Sequence, residues 1–185
     1  MSVGRPVLYA AIDMRRTIRA IWNEPPAPDP PSPNRRDWAL VGVIVATALV
    51  ETALRSMAWK PIQLTFVLAV GLALPWRRTR PFAVAGSAFM AFGFLSIAMA
   101  IAGISGDDGY YTGAFMLILP YTLARWGSGR AALLGLLMIV LLPWTSLLDG
   151  TGSVGEAIAG TVFFLFPAEF GAAVRFWHKS RERAV

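Results

Sequence analysis

Apolar residues fall into six runs along the chain: Trp38 to Met57, Pro61 to Trp76, Pro81 to Ile104, Tyr111 to Arg125, Ala131 to Leu148 and Glu156 to Val174. A hydrocarbon core of roughly 30 Å takes about 20 helical residues, so the second and fourth runs are short for a crossing and call for thinned bilayer or snorkelling flanks. None of the runs alternates polar and apolar residues as a lipid-facing barrel strand does, and inside a membrane each backbone segment must close its own hydrogen bonds. The pattern predicts an all-α integral membrane protein, a six-helix transmembrane bundle over residues 35–176.

Composition agrees, since 185 residues that are 56% hydrophobic and 15% charged do not describe an ordinary soluble domain. Cysteine is absent, which excludes a disulfide framework, a thiolate metal site and thiol redox sensing in this chain.

Basic residues sit in alternate gaps between the runs. Arg5, Arg15, Arg16, Arg19, Arg35 and Arg36 precede the first run, and Arg77, Arg78 and Arg80 separate the second from the third. Arg125 and Arg130 bracket the gap after the fourth, and Arg175, Lys179, Arg181 and Arg183 follow the sixth. Only Arg55 and Lys60 fall in the opposite set, whose loops carry Asp107, Asp108, Asp149 and Glu156. Short cytoplasmic loops accumulate Lys and Arg, so both termini are expected inside the cell, in a multi-pass protein of the inner (plasma) membrane. The formal charge of +6 then points to anionic lipid headgroups as partners and not to nucleic acid. Trp38, Trp59, Trp76, Trp126, Trp144 and Trp177 lie at or near the ends of runs, where an indole finds both an apolar and a hydrated side.

Residues 1–24 hold a stripe of Val7, Ala11, Met14, Ile18 and Ile21 with Arg5, Arg16 and Arg19 pointing away from it. This predicts either an amphipathic helix on the inner membrane surface or a partly disordered leader. Residues 25–34 are proline-rich, which fixes φ, removes donors and gives an extended, semi-rigid spacer. Residues 177–185 form a basic cytoplasmic tail.

Candidate chemistry is sparse, and no cofactor or metal site is expected. His178 is the single histidine, and acidic residues are scattered. Asp107 and Asp108 lack the carboxylate spacing of a calcium loop and read as an extracytoplasmic turn. Gly127-Ser128-Gly129-Arg130 lacks the Gly-Lys-Ser/Thr ending of a P-loop and reads as a tight turn. Two carboxylates lie within runs, where a charge in hydrocarbon tends to be paired or functional. Glu51 stands one turn before Arg55, an easy i,i+4 pair. Glu169 follows Pro167, which frees a carbonyl on the preceding turn; it is placed either in a polar, ligand- or pH-sensitive pocket or snorkelling toward Arg175 or the interface.

Taken in order, Arg35-Arg36-Asp37-Trp38, Leu74-Pro75-Trp76-Arg77-Arg78-Thr79-Arg80-Pro81, Leu119-Pro120-Tyr121 with Arg125-Trp126-Gly127-Ser128-Gly129-Arg130, and Leu165-Phe166-Pro167 with Gly171-Ala172-Ala173-Val174-Arg175 form an ordered set. From about Arg35 to Arg175 the chain resembles the N-terminal transmembrane module of actinobacterial sensor histidine kinases. The resemblance implies a two-component, signal-transducing role in which the module feeds a cytoplasmic helix, a dimerisation and phosphoacceptor domain and an ATP-binding domain. It also implies a homodimer or a histidine kinase partner. The chain stops at Val185 without kinase machinery, and His178 in Phe176-Trp177-His178-Lys179-Ser180 does not match a phosphoacceptor motif.

The expected function is therefore a non-catalytic sensor or anchor that passes a change in helix packing to the cytoplasm. Its output element would be Arg175, Phe176, Trp177, His178 and Lys179 at the exit of the last run. Two other readings stand beside it: an accessory membrane protein that regulates a separate kinase, and a small transporter or channel subunit using kinked helices and Glu169.

Overall fold

The computed structural model describes residues 16, 19–104, 109–148 and 152–182. Most of the expected N-terminal amphipathic stripe, together with Asp107, Asp108, Asp149 and Arg183, lies outside the described residues. Of that stripe Ile21 is described, in a helical turn at 19–22, and a stretch without regular structure, with a left-handed φ of 45° at Asp29, follows through the prolines to Asn34.

The first long helix, α1 (Arg35–Leu54), starts where it does because Asn34 caps it. The Asn34 side chain accepts from the Arg36 and Asp37 amides, and the Asp37 carboxylate accepts in return from the Asn34 amide at 3.1 Å. After a tight turn in which Trp59 takes a left-handed φ of 49°, α2 (Lys60–Ala73) begins with Pro61 in its first turn. Its last turn tightens into a 3-10 segment, Leu74–Arg77, around Pro75.

Pro81 opens α3 (Pro81–Ile101). A 3-10 stretch, Tyr111–Leu117, runs straight into α4 (Ile118–Trp126), which Gly127 ends. Ser128 caps α5 (Gly129–Leu141) by accepting from the Ala131 amide. The 3-10 segment Leu142–Trp144, with Pro143 in its first turn, then leads into the short α6 (Thr145–Leu148). The chain closes with α7 (Val154–Glu182), 29 residues long, in which Pro167 sits without interrupting the helix.

All regular structure among the described residues is helical. Four helical segments are long and apolar enough to cross a membrane: Arg35–Leu54, Pro81–Ile101, Gly129–Leu147 and Val154–His178. The second and fourth apolar runs are not among them, because α2 has 14 residues and the fourth run begins as seven residues of 3-10 helix. The helix of the sixth run extends past Val174 to Glu182, into the stretch expected to be a tail. Nothing after Gly171 breaks it, and basic side chains suit a helix C-terminus.

Ile44, Ala48, Leu74, Ala85, Leu119, Leu123 and Ile139 meet in the centre of the molecule. Large apolar side chains such as Leu54, Phe94, Ile101 and Phe166 point outward, as suits a surface that faces lipid rather than water. The most extensive helix contact joins α4 to α7. It is possible because Gly171 is buried directly against the Tyr121 backbone, where a Cβ would collide with the Tyr121 carbonyl oxygen.

Candidate functional site

Polar side chains gather at the two ends of the bundle. One end holds the start of α1, the 3-10 end of α2, the α4–α5 turn and the exit of α7. The other holds the α1–α2 turn and the Tyr111–Leu117 segment.

At the first end, Asp37 is 1% exposed and sits on two cations. Its Oδ1 lies 2.7 Å from Arg77 Nη2 and 3.1 Å from Arg78 Nη2, while Oδ2 serves the Asn34 cap. Arg77 is itself buried and donates from Nη1 to the Leu74 carbonyl at 2.9 Å. A buried carboxylate is tolerable only when its lone pairs are taken up, and here cap and cations do so together. Trp38 and Trp76 meet edge to face beside it, ring centroids 6.1 Å apart.

Also at this end, the Arg175 guanidinium gathers three separate chain segments. From α7 it donates through Nη1 to the Gly127 carbonyl at 2.6 Å, and through Nη2 to the Pro25 carbonyl at 2.8 Å. The Glu24 carboxylate lies 3.3 Å from the same Nη2. The planar fork of arginine suits such convergent acceptors, since its donors diverge in fixed directions. A backbone bond from the Gly129 amide to the Glu24 carbonyl reinforces the junction, and Arg130 stands over the Trp22 ring. A Cβ at Gly129 would collide with the Ile21 carbonyl, so the N-terminal segment approaches the α4–α5 turn as closely as a glycine permits.

Three further residues of the expected output element point elsewhere. Phe176, Trp177 and His178 are exposed on α7, with Arg181 stacked over Trp177 and His178 Nδ1 paired with the Val174 carbonyl. The Lys179 side chain lies outside the described residues.

At the opposite end, Glu51 makes the i,i+4 pair with Arg55 at 2.6 Å and does more than that. Its carboxylate accepts from the Tyr111 and Thr112 amides at 2.7 and 3.0 Å and from the Thr112 hydroxyl at 2.7 Å. It thus caps the free amides that open the 3-10 segment. Arg55 completes the junction by donating to the Gly109 carbonyl and lying over the Tyr111 ring. Thr52 and Tyr110 share a hydroxyl hydrogen bond of 2.7 Å.

Glu169 is not brought to any of these junctions. It lies on the exposed side of α7 between Phe166 and Phe170, and Arg175 is engaged by Glu24 and backbone carbonyls instead. Among the described residues no three His, Asp or Glu side chains converge as metal ligands would.

Asp37 and Arg77 stand among the motif and basic-gap residues of the chain but, like Glu24, are not candidate site residues there. The Asn34-x-x-Asp37 spacing is a capping-box signal that marks the first of them. Nothing local marks Glu24, whose partner lies in the last helix. No protein-family model, curated protein or solved structure matches this chain.

Proposed function

We propose that this chain is the non-catalytic membrane input module of a two-component sensor histidine kinase, in which helix packing within the membrane sets the state of the α7 exit. The observation that carries the proposal is the Arg175 junction. One side chain ties the last helix to the α4–α5 turn and to the segment ahead of α1. A rotation or slide of α7 must exchange these bonds, which makes the junction a place where two packings of the bundle can be told apart. At about 1.5 Å per residue, α7 is longer than a hydrocarbon core of roughly 30 Å, so it carries such a displacement beyond the membrane.

In this proposal the chain crosses the plasma membrane six times with both ends in the cytoplasm. The short second and fourth crossings reach far enough because part of each is wound as 3-10 helix, which rises about 2.0 Å per residue against 1.5 Å in an α-helix. By those rises Lys60–Arg77 spans about 29 Å and Tyr111–Trp126 about 27 Å, close to the roughly 30 Å required. The Asp37 and Arg175 junctions would then lie on the basic, cytoplasmic side, and the Glu51 junction on the outer side. The family resemblance supplies the kinase, and this chain is given no catalytic role.

The test is ATP-dependent phosphorylation in native membranes. The protein is isolated with whatever remains bound to it and incubated with radiolabelled ATP. Acid-labile, base-stable phosphate, on the same polypeptide or on one held to it, is the expected result, with a several-fold change in Arg175→Gln. Absence of any such phosphate would refute the kinase assignment.

A further inference from the structure

A cavity of about 890 Å³ opens within the end of the bundle that carries the Glu51 junction. Its volume falls in the range of small-molecule sites, roughly 300–1,000 Å³. We infer that it binds one aliphatic chain of an amphiphile, lying along the helices with a hydrogen-bonding head at the rim.

One wall is a stripe of α3, and α2, the Tyr111–Leu117 segment and α7 supply the others. Phe92, Leu95, Ser96, Met99 and Ala100 all line the cavity, at the i, i+3, i+4, i+7, i+8 spacing that puts side chains on one helix face. That stripe is about 12 Å long at 1.5 Å per residue, so this wall matches much of one leaflet's hydrocarbon depth, about half of 30 Å. Aromatic rings pack together in the lining. Phe66 and Phe92 lie 6.1 Å apart and Phe164 packs edge to face on Phe89.

The rim differs in character. Tyr111, Ser146 and Glu156 stand there, at the turn or helix ends that leave the bundle. Apart from Ser96 on the α3 stripe and Gln63 at the start of α2, the depth is apolar and the polar groups stand toward the mouth, which suits a chain carrying a head better than a polar solute or an ion. Gly113 lines the same cavity, and a Cβ built there meets nothing within 4 Å, so the space beside it is open. The site does not depend on the kinase assignment, since binding can be read without any output.

Two photoactivatable probes test it on the whole chain in lipid nanodiscs: palmitic acid carrying a diazirine, and a phosphatidylcholine carrying the diazirine on one acyl chain. The expected result is saturable labelling by at least one probe, with adducts mapped to cavity residues such as Met99, Met116 and Phe164. Labelling by the free acid would identify a single-chain amphiphile as occupant, and labelling by the phospholipid a lipid chain reaching in from the bilayer. Gly113→Trp, which fills the space, should reduce the adducts at least five-fold, whereas Gly42→Trp, on the exposed face of α1 with nothing within 4 Å, should leave them unchanged. Adducts that do not saturate, or that map only to outward residues such as Phe94 and Phe166, would overturn the inference. The adduct map of the unaltered protein decides this even where Gly113→Trp fails to fold.

Discussion

Asp37 and Arg77 face each other at 2.7 Å, joining the first turn of α1 to the 3-10 end of α2 across the α1–α2 hairpin. Both side chains are buried, so neither charge is answered by water. The pair therefore acts as a register lock, holding two antiparallel helices at one offset while leaving their opposite ends to the Glu51 junction.

Truncating one partner of a buried pair strands the other. Asp37→Ala should destabilise the protein by about 3 kcal/mol or more, and Arg77→Ala similarly. The double variant should cost less than the two single losses added together. Arg78, which is more exposed, should lose less than about 1 kcal/mol on truncation. Thermal unfolding of the four variants in one detergent checks this; additive losses would show that the pair is not coupled.

Loss of the carboxylate at Glu51 should be felt in the 3-10 segment it caps, distant along the chain but in direct contact. Glu51→Gln keeps the shape but weakens the bonds to the Tyr111 and Thr112 amides and to Arg55, at a cost of about 2 kcal/mol. Amide hydrogen exchange should quicken at Tyr111 and Thr112 before it does so in α3. Unchanged protection there would mean that the cap contributes nothing to holding the 3-10 segment.

Gly171 and Gly86 make a matched comparison. A side chain at Gly171 strikes the Tyr121 carbonyl, whereas at Gly86 it meets nothing within 4 Å. Gly171→Leu should force α4 and α7 apart and cost about 1–3 kcal/mol or abolish monodisperse protein. Gly86→Leu should be neutral or slightly stabilising, because leucine is the better helix former by several tenths of a kcal/mol. Equal melting temperatures would rule out close α4–α7 contact.

Opening the Arg175 junction should free the segment ahead of α1. In Arg175→Gln, trypsin should cut after Arg19 several-fold faster than in the parent. Glu24→Gln should have a smaller effect, since the bonds to Gly127 and Pro25 remain. Equal cleavage rates in all three would mean the N-terminal segment is held by other contacts.

The absence of cysteine makes the proposed orientation directly testable with introduced thiols. Ser128→Cys and Ser180→Cys should resist an impermeant maleimide added outside intact cells, and Ser153→Cys should react. The reverse pattern would invert the topology.

Much of the architecture was legible in the chain because a bilayer is a simple solvent. Long apolar runs with no alternation leave the backbone one way to satisfy itself, so helices were readable, and four of the predicted runs are long and apolar enough to cross. The Glu51–Arg55 pair was readable for a related reason, since i,i+4 geometry is local. The winding of the second and fourth runs was not, because a 3-10 turn is chosen by how the segment packs and not by its hydropathy.

What the sequence by itself determined is therefore the local part: helical segments, the Asn34 and Ser128 caps, and the alternation of basic and acidic gaps that follows from short-range chemistry. Tertiary structure alone decided which charges meet. Asp37 could have been a solvated helix-cap residue, and Arg175 a snorkelling cation; they became junctions because folding brings Arg77 and Glu24 to them from distant positions. Those contacts depend on helix order and on close approach at Gly129 and Gly171, which no spacing along the chain encodes. The cavity beneath Tyr111 is of the same kind, a space left by the packing of several helices and invisible in any one of them.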